Sequence, residues 1–206
     1  MFKKGFTLAE VLITLGIVGV IAAITLPTLT QSTTTAQIGP KLAKAASAFE
    51  QANKALLDAY DVDRLSETGL LKEDATELFV ALSDYLAMSP ISDEEYVKYQ
   101  AKDGVVYTSL QFWPEKVNAG ISAHKNEVGY IQIDINGEAG PGIGAEDQFA
   151  FSYMDDGSLQ PEGGTFLHKY LEHSHWTEFC PVGQEPDRTL YCTGHIFENN
   201  LKVLYK

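Results

Sequence analysis

The chain has 206 residues, 45% of them hydrophobic and 21% charged, with no internal repeat and no long low-complexity segment. Acidic residues outnumber basic ones 28 to 15, a formal charge of −13. A surface of that sign repels phosphate backbones, which argues against general nucleic-acid binding, and no lysine–arginine cluster offsets it.

The first element is the run MFKKGFTLAEVLITLGIVGVIAAITLP. Lys3, Lys4 and Gly5 precede an almost unbroken apolar stretch from Phe6 to Leu26. About 20 apolar residues suffice for a helix to cross a bilayer. Glu10 is the one carboxylate inside the run. An acid at bilayer-centre depth costs about 2.5–3.5 kcal/mol on insertion scales, so it needs a partner or a function. A secretory signal peptide has a shorter apolar region, about 7–15 residues, and no use for an internal acid. A plain single-span anchor would not need one either.

Lys-Gly-Phe-Thr-Leu-Ala-Glu, followed by an apolar helix with a proline near its end, closely resembles the class III signal of type IV pilins and related pseudopilins. Four features coincide: a short basic leader ending in Gly5, Phe6 opening the apolar run, Glu10 as fifth residue of the processed chain, and Pro27. The resemblance implies that a prepilin peptidase cuts between Gly5 and Phe6 and that the new Phe6 amine is N-methylated. It also implies that the Glu10 carboxylate pairs with the Phe6 ammonium of a neighbouring subunit. That pairing is physically reasonable, because two charges that are costly in lipid offset each other only when subunits meet. Cleavage removes Lys3 and Lys4, leaving 13 basic against 28 acidic residues, a formal charge of −15. The positive-inside rule places the two lysines on the cytoplasmic side of the inner membrane. The expected organisation is therefore a leader over 1–5, a transmembrane and filament-core helix over 6–26, an amphipathic continuation over 27–60, and a globular domain over 61–206.

Past Pro27 the threonine-rich patch Thr28–Thr35, then Gly39 and Pro40, all weaken helix. A kink at Pro27, or a locally melted section between Leu26 and Pro40, is expected. Leu42, Ala45, Ala46, Phe49, Ala52, Asn53, Leu56 and Tyr60 then recur at helical spacing and predict a face on which a globular domain rests. Lys41 and Lys44, one turn apart, read as a solvated or headgroup-facing stripe. A second helix is predicted over Lys72–Met88, stopped by Ser89-Pro90. Strands are predicted over Tyr96–Gln100, Val105–Phe112, Tyr130–Ile135 and Phe149–Met154, with turns at Asp103-Gly104 and Asp156-Gly157. A short helix over Thr193–Asn199 and a strand over Leu201–Tyr205 close the chain. Helices followed by strands predict an α+β fold with an antiparallel sheet packed on the first helix.

Two further places carry chemistry. DINGEAGPGIGAEDQF joins two predicted strands and offers hard oxygen donors, foremost Asp134, Asn136 and Asp147. Such a loop suits calcium, and some pseudopilins bind calcium in a sheet-region loop. The alternative is an acidic glycine-rich turn that binds nothing. No Gly-Lys-Ser/Thr follows its glycines, which excludes a phosphate loop. Near the C-terminus, Cys180 and Cys192 close a loop of about a dozen residues if bridged, worth about 2–4 kcal/mol. With His175 and His195 they also make a four-ligand zinc set. Type IV pilins often carry a C-terminal disulfide loop, and an exported location permits bridging, so the disulfide is the reading adopted.

No Gly-x-Ser-x-Gly, His-Glu-x-x-His or other catalytic pattern occurs, so nothing in the chain calls for an enzyme. The expected function is that of a structural subunit of a type IV pilus-like filament. Its partners would be prepilin peptidase, other pilin or pseudopilin subunits and the inner membrane. The precursor would be a single-pass membrane protein and the product an extracytoplasmic filament. The alternatives are a type II secretion pseudopilin and a membrane-anchored binding protein that does not polymerise.

Overall fold

A computed structural model describes residues 8–72, 75–91, 96–112, 126–137, 140, 147–162, 192–198 and 200, with the backbone alone over 21–36. Helix α1 runs over Leu8–Tyr60. It is continuous through Pro27 and Pro40, so the melted section that the sequence offers as an alternative to a kink is absent from the described backbone. Each proline removes one intrahelical hydrogen bond and crowds the carbonyl four residues before it. The chain divides into two units, 1–37 and 38–206. Residues 38–60 of the expected helical continuation thus belong with the globular unit.

In that unit α1 presents the predicted face. Leu42, Ala45, Ala46, Phe49, Ala52, Asn53 and Leu56 are all buried, joined by Ile38 and Leu57, whereas Tyr60 is 45% exposed. Phe49 is its centre: its ring lies 5.1 Å from that of Tyr107, 5.5 Å from Tyr153 and 6.0 Å from Phe79. Aromatic pairs at such spacing add about 0.5–1.5 kcal/mol each beyond the area they bury. Polar contacts fix the register of helix on sheet. Tyr107 donates its hydroxyl to the Ala45 carbonyl at 3.0 Å. The Tyr153 hydroxyl donates to Asn53 Oδ1, and Asn53 Nδ2 donates to the Phe49 carbonyl at 2.9 Å. The buried amide of Asn53 is therefore satisfied on both sides, as burial requires.

A 3-10 turn over Leu65–Glu67 is held by Asp155, whose carboxylate accepts from the Ser66 amide at 2.8 Å and the Ser66 hydroxyl at 2.9 Å. Helix α2 covers Thr76–Leu86, shorter than predicted at both ends, and buries Leu78, Phe79 and Leu82. Ala87 ends it in the left-handed region, at φ 50°. The chain then enters strand β1, Met88–Ile91, where the sequence reading sees only a helix stop at Ser89-Pro90. A proline is tolerated in an edge strand because its missing N–H costs the ladder nothing there.

Five more strands follow: β2 Val97–Ala101, β3 Val106–Phe112, β4 Glu127–Asp134, β5 Gln148–Met154 and β6 Leu159–Pro161. They form one antiparallel sheet in the order β1-β2-β3-β4-β5-β6, a simple meander. Helix α3, Cys192–Glu198, sets Ile196 into the core and Phe197 edge-on against Phe151 at 5.8 Å. The α+β class and the antiparallel sheet agree with the sequence reading. The predicted strand over 201–205 lies outside the described residues.

The β5–β6 turn depends on one glycine. Gly157 adopts φ +81°, and a Cβ there would sit 2.8 Å from the Cβ of Asn53 on α1. Gly157→Ala combines left-handed strain with a clash against the buried helix face, and should cost about 2–4 kcal/mol. Urea unfolding of the full chain in detergent measures it; an unchanged midpoint would show that turn and helix are not in contact.

Candidate functional site

The described part of the N-terminal helix begins at Leu8, and Glu10 lies in its first turn. Gly5 and Phe6 lie outside the described residues. From Leu8 to Val20 every side chain is exposed. Leu8 is 82% exposed, Leu12, Ile13, Val18 and Val20 each 62%, and Leu15 64%. The apolar side chains therefore point in every direction round the axis, not along one stripe. A helix apolar on all sides is stable only when apolar surroundings enclose it, whether lipid or other helices. A Cβ at Gly16 or Gly19 would meet nothing within 4 Å, so space is left on those flanks. Thr14, the one side-chain hydroxyl in this stretch, turns inward on its own helix and donates to the carbonyls of Glu10 and Val11, each at 2.9 Å. That removes a polar group from the lateral surface. Among the described residues no helix is long and apolar enough to cross a membrane. The side chains described in the apolar run are those of 8–20, and the remainder of the expected span lies outside them.

The β4–β5 connection is where calcium was expected. Asp134 Oδ1 accepts from the Asn136 amide at 3.0 Å and the Gly137 amide at 2.6 Å, and Gln148 Nε2 donates to Oδ2 at 3.3 Å. Asn136 Oδ1 faces the Lys41 ammonium at 3.5 Å. Asp147 is buried, and its carbonyl accepts from the Ile135 amide at 2.8 Å. Gly140 brings these residues together: a Cβ on it would overlap Asp147 Oδ2 and sit 2.9 Å from Asn136 Cβ. Asn136 and Asp147 thus lie together beside Gly140, with Asp134 hydrogen-bonded to the Asn136 amide. Asp134 Oδ1 closes a turn over the Asn136 and Gly137 amides, and the exposed Lys41 ammonium meets Asn136 Oδ1. Among the described residues no group of three His, Cys, Asp or Glu is arranged to hold a metal.

Sequence reasoning missed the lysines' role at this end of the sheet. Lys44 pairs with Asp103 at 3.2 Å on the β2–β3 turn, and Lys41 meets the β4–β5 turn. The two turns touch each other: a Cβ on Gly137, at φ +57°, would overlap the Gly104 carbonyl. Helical spacing of Lys41 and Lys44 was visible; which loops would fold against them was not.

At the C-terminal end, Cys192 opens α3 and is fully buried, and no free thiol occurs among the described residues. Cys180, His175 and the side chain of His195 lie outside them. The start of α3 is tied to β6 by the Gly194 amide donating to the Glu162 carbonyl at 2.6 Å. Glu162 in turn accepts the hydroxyl of the fully buried Ser152. Burial pushes the Glu162 carboxyl above the ordinary carboxylate range, and the Ser152 hydrogen bond pulls partly the other way. A group whose folded pKa is raised stabilises in its protonated form, and that stability is lost as pH rises through the folded value. Glu162→Gln should therefore be at least as stable as the parent at pH 7.5, with its advantage shrinking as pH falls toward the ordinary carboxylate range. Thermal unfolding of both chains across pH 4–8 checks the sign, and an advantage that grows on acidification would contradict it.

With this geometry in place, the comparisons with known proteins bear on one stretch. No curated protein and no solved structure matches the chain. Residues 1–26 match the family described as the prokaryotic N-terminal methylation motif. The run that exposes apolar side chains on every side of α1 is thus the one that carries the prepilin-type signal of type IV pilins and pseudopilins.

Proposed function

We propose that the chain is the precursor of a filament subunit whose membrane anchor and assembly surface are one helix used twice. The observation that carries the reading is an N-terminal helix with apolar side chains all round, bearing the prepilin-type signal at its start. In the precursor, lipid encloses that helix and Lys3 and Lys4 stay on the cytoplasmic side. Prepilin peptidase removes residues 1–5, and Phe6 becomes an N-methylated amine. The helix then leaves lipid for a bundle of its own kind, packing its apolar surface against neighbouring subunits.

Glu10 gives the transfer its direction. Its carboxylate is costly at membrane depth, and a neighbouring Phe6 ammonium supplies an opposite charge in the assembled state. The globular unit, net acidic, stays outside the membrane as the filament's surface. Its C-terminal end is closed by a Cys180–Cys192 bridge from the buried Cys192. The reading is a type IV pilus-like filament; the same signal also serves the pseudopilins of type II secretion.

Mass spectrometry of the mature N-terminus tests processing, with a methylated Phe6 as the expected first residue. Glu10→Ala should insert in the membrane normally but lose most filament incorporation, read by shearing filaments from cells and immunoblotting. An unprocessed N-terminus would return the chain to the class of plain anchored proteins. Normal incorporation of Glu10→Ala would sink the ion-pair account.

A further inference from the structure

The β4–β5 turn places Asn136 directly before Gly137. A glycine in that position has no side chain to obstruct its own amide nitrogen, which is free to approach the preceding side-chain carbonyl carbon. The fold surrounds this pair with a proton acceptor on one side and a cation on the other. The Gly137 N–H donates to Asp134 Oδ1 at 2.6 Å, and Asp134 is only 7% exposed. The Lys41 ammonium lies 3.5 Å from Asn136 Oδ1. Lysine offers donors and no acceptor, so the atom it faces is the amide oxygen. The site is half-buried, which leaves Asn136 open to water while Gly137 is packed against the Gly104 carbonyl.

We propose that Asn136–Gly137 is a self-modification site, at which position 136 converts from asparagine to aspartate or isoaspartate. The Gly137 nitrogen forms a bond to Asn136 Cγ as its proton passes to the Asp134 carboxylate. The charge that develops on Oδ1 falls beside Lys41. Collapse breaks the Cγ–Nδ2 bond, and ammonia leaves with the returned proton, giving a cyclic imide. Water then opens the imide at either carbonyl. Asp134 is the proton acceptor here, and Lys41 polarises the carbonyl under attack. No oxidant, metal or second protein takes part.

The product has a structural consequence. A carboxylate at position 136 would face Lys41, repeating the Lys44–Asp103 pair on the adjoining turn. Helix α1 would then be tied to both touching turns by ion pairs. The inference does not rest on the filament reading.

The test is incubation of the full chain in detergent at pH 8, followed by peptide mapping that separates aspartate from isoaspartate. A synthetic peptide covering the same turn is the unfolded control. The expected result is conversion at position 136 in the folded chain at least as fast as in the peptide. Lys41→Met, an exposed helix position, should slow conversion in the folded chain by about tenfold and leave the peptide rate without a counterpart effect, a modest share of what positioned acid–base groups supply. Folded-chain conversion slower than the peptide, or an unaltered rate in Lys41→Met, would overturn the proposal. Asn136→Asp, expected to retain the fold, supplies the mass and retention standard for the converted chain.

Discussion

The globular unit depends on one contact surface, the buried face of α1 seated on the antiparallel sheet. Phe49 stands at its centre, ringed by Phe79, Tyr107 and Tyr153. The hydrophobic part of that contact is non-directional and would tolerate sliding. Register comes from the polar rivets within it: Tyr107 on the Ala45 carbonyl, Tyr153 on Asn53, and the Leu159 amide on Glu50 at 2.9 Å. An unmade hydrogen bond at such depth costs more than a made one contributes, so each rivet penalises every other register. The β5–β6 turn closes down on the same helix through Gly157, and the 3-10 turn is anchored to that hairpin by Asp155.

The same helix carries opposite solvent requirements along its length. From Ile38 onward one face is buried by the sheet and the other is polar, as a globular protein needs. Over Leu8–Val20 there is no polar face. Under the proposed function this division is the design: the second half fixes the globular unit, and the first passes from lipid to other helices. The outer strands of the sheet among the described residues each carry a proline: Pro90 lies in β1 and Pro161 in β6. A proline removes a donor from an exposed edge and discourages strand addition. Strand addition at these two strands is thereby opposed.

Legibility in the sequence followed the range of the forces involved. The buried face of α1 was readable because it repeats with the helix period, and the central strands because Ile131, Ile133 and Ile135 alternate with polar residues. Strands β1 and β6 were missed because they are short, proline-containing and stabilised by their partners. Asn53 was readable as facing inward but not as a hydrogen-bonding partner of Tyr153, 100 residues away. At the β4–β5 turn, the residue types suggested a cation site. The fold adds bonds from nearby amides to the Asp134 oxygens and brings a lysine from α1 to Asn136. No local pattern records which distant side chain fills a loop's donors.

The sequence by itself determined the prepilin-type signal, the α+β class and the helix face that would be buried. These are written in local order and periodicity, which one chain segment carries alone. Only the tertiary structure decided the sheet order, the two touching turns beneath Lys41 and Lys44, and the burial of Glu162 against Ser152. Those features are set by contacts between segments far apart in the chain, where partner choice depends on shape and on competing hydrogen bonds. The first 26 residues are legible because their signal is a local order of charges and apolar residues. The rest acquire their chemistry from one another.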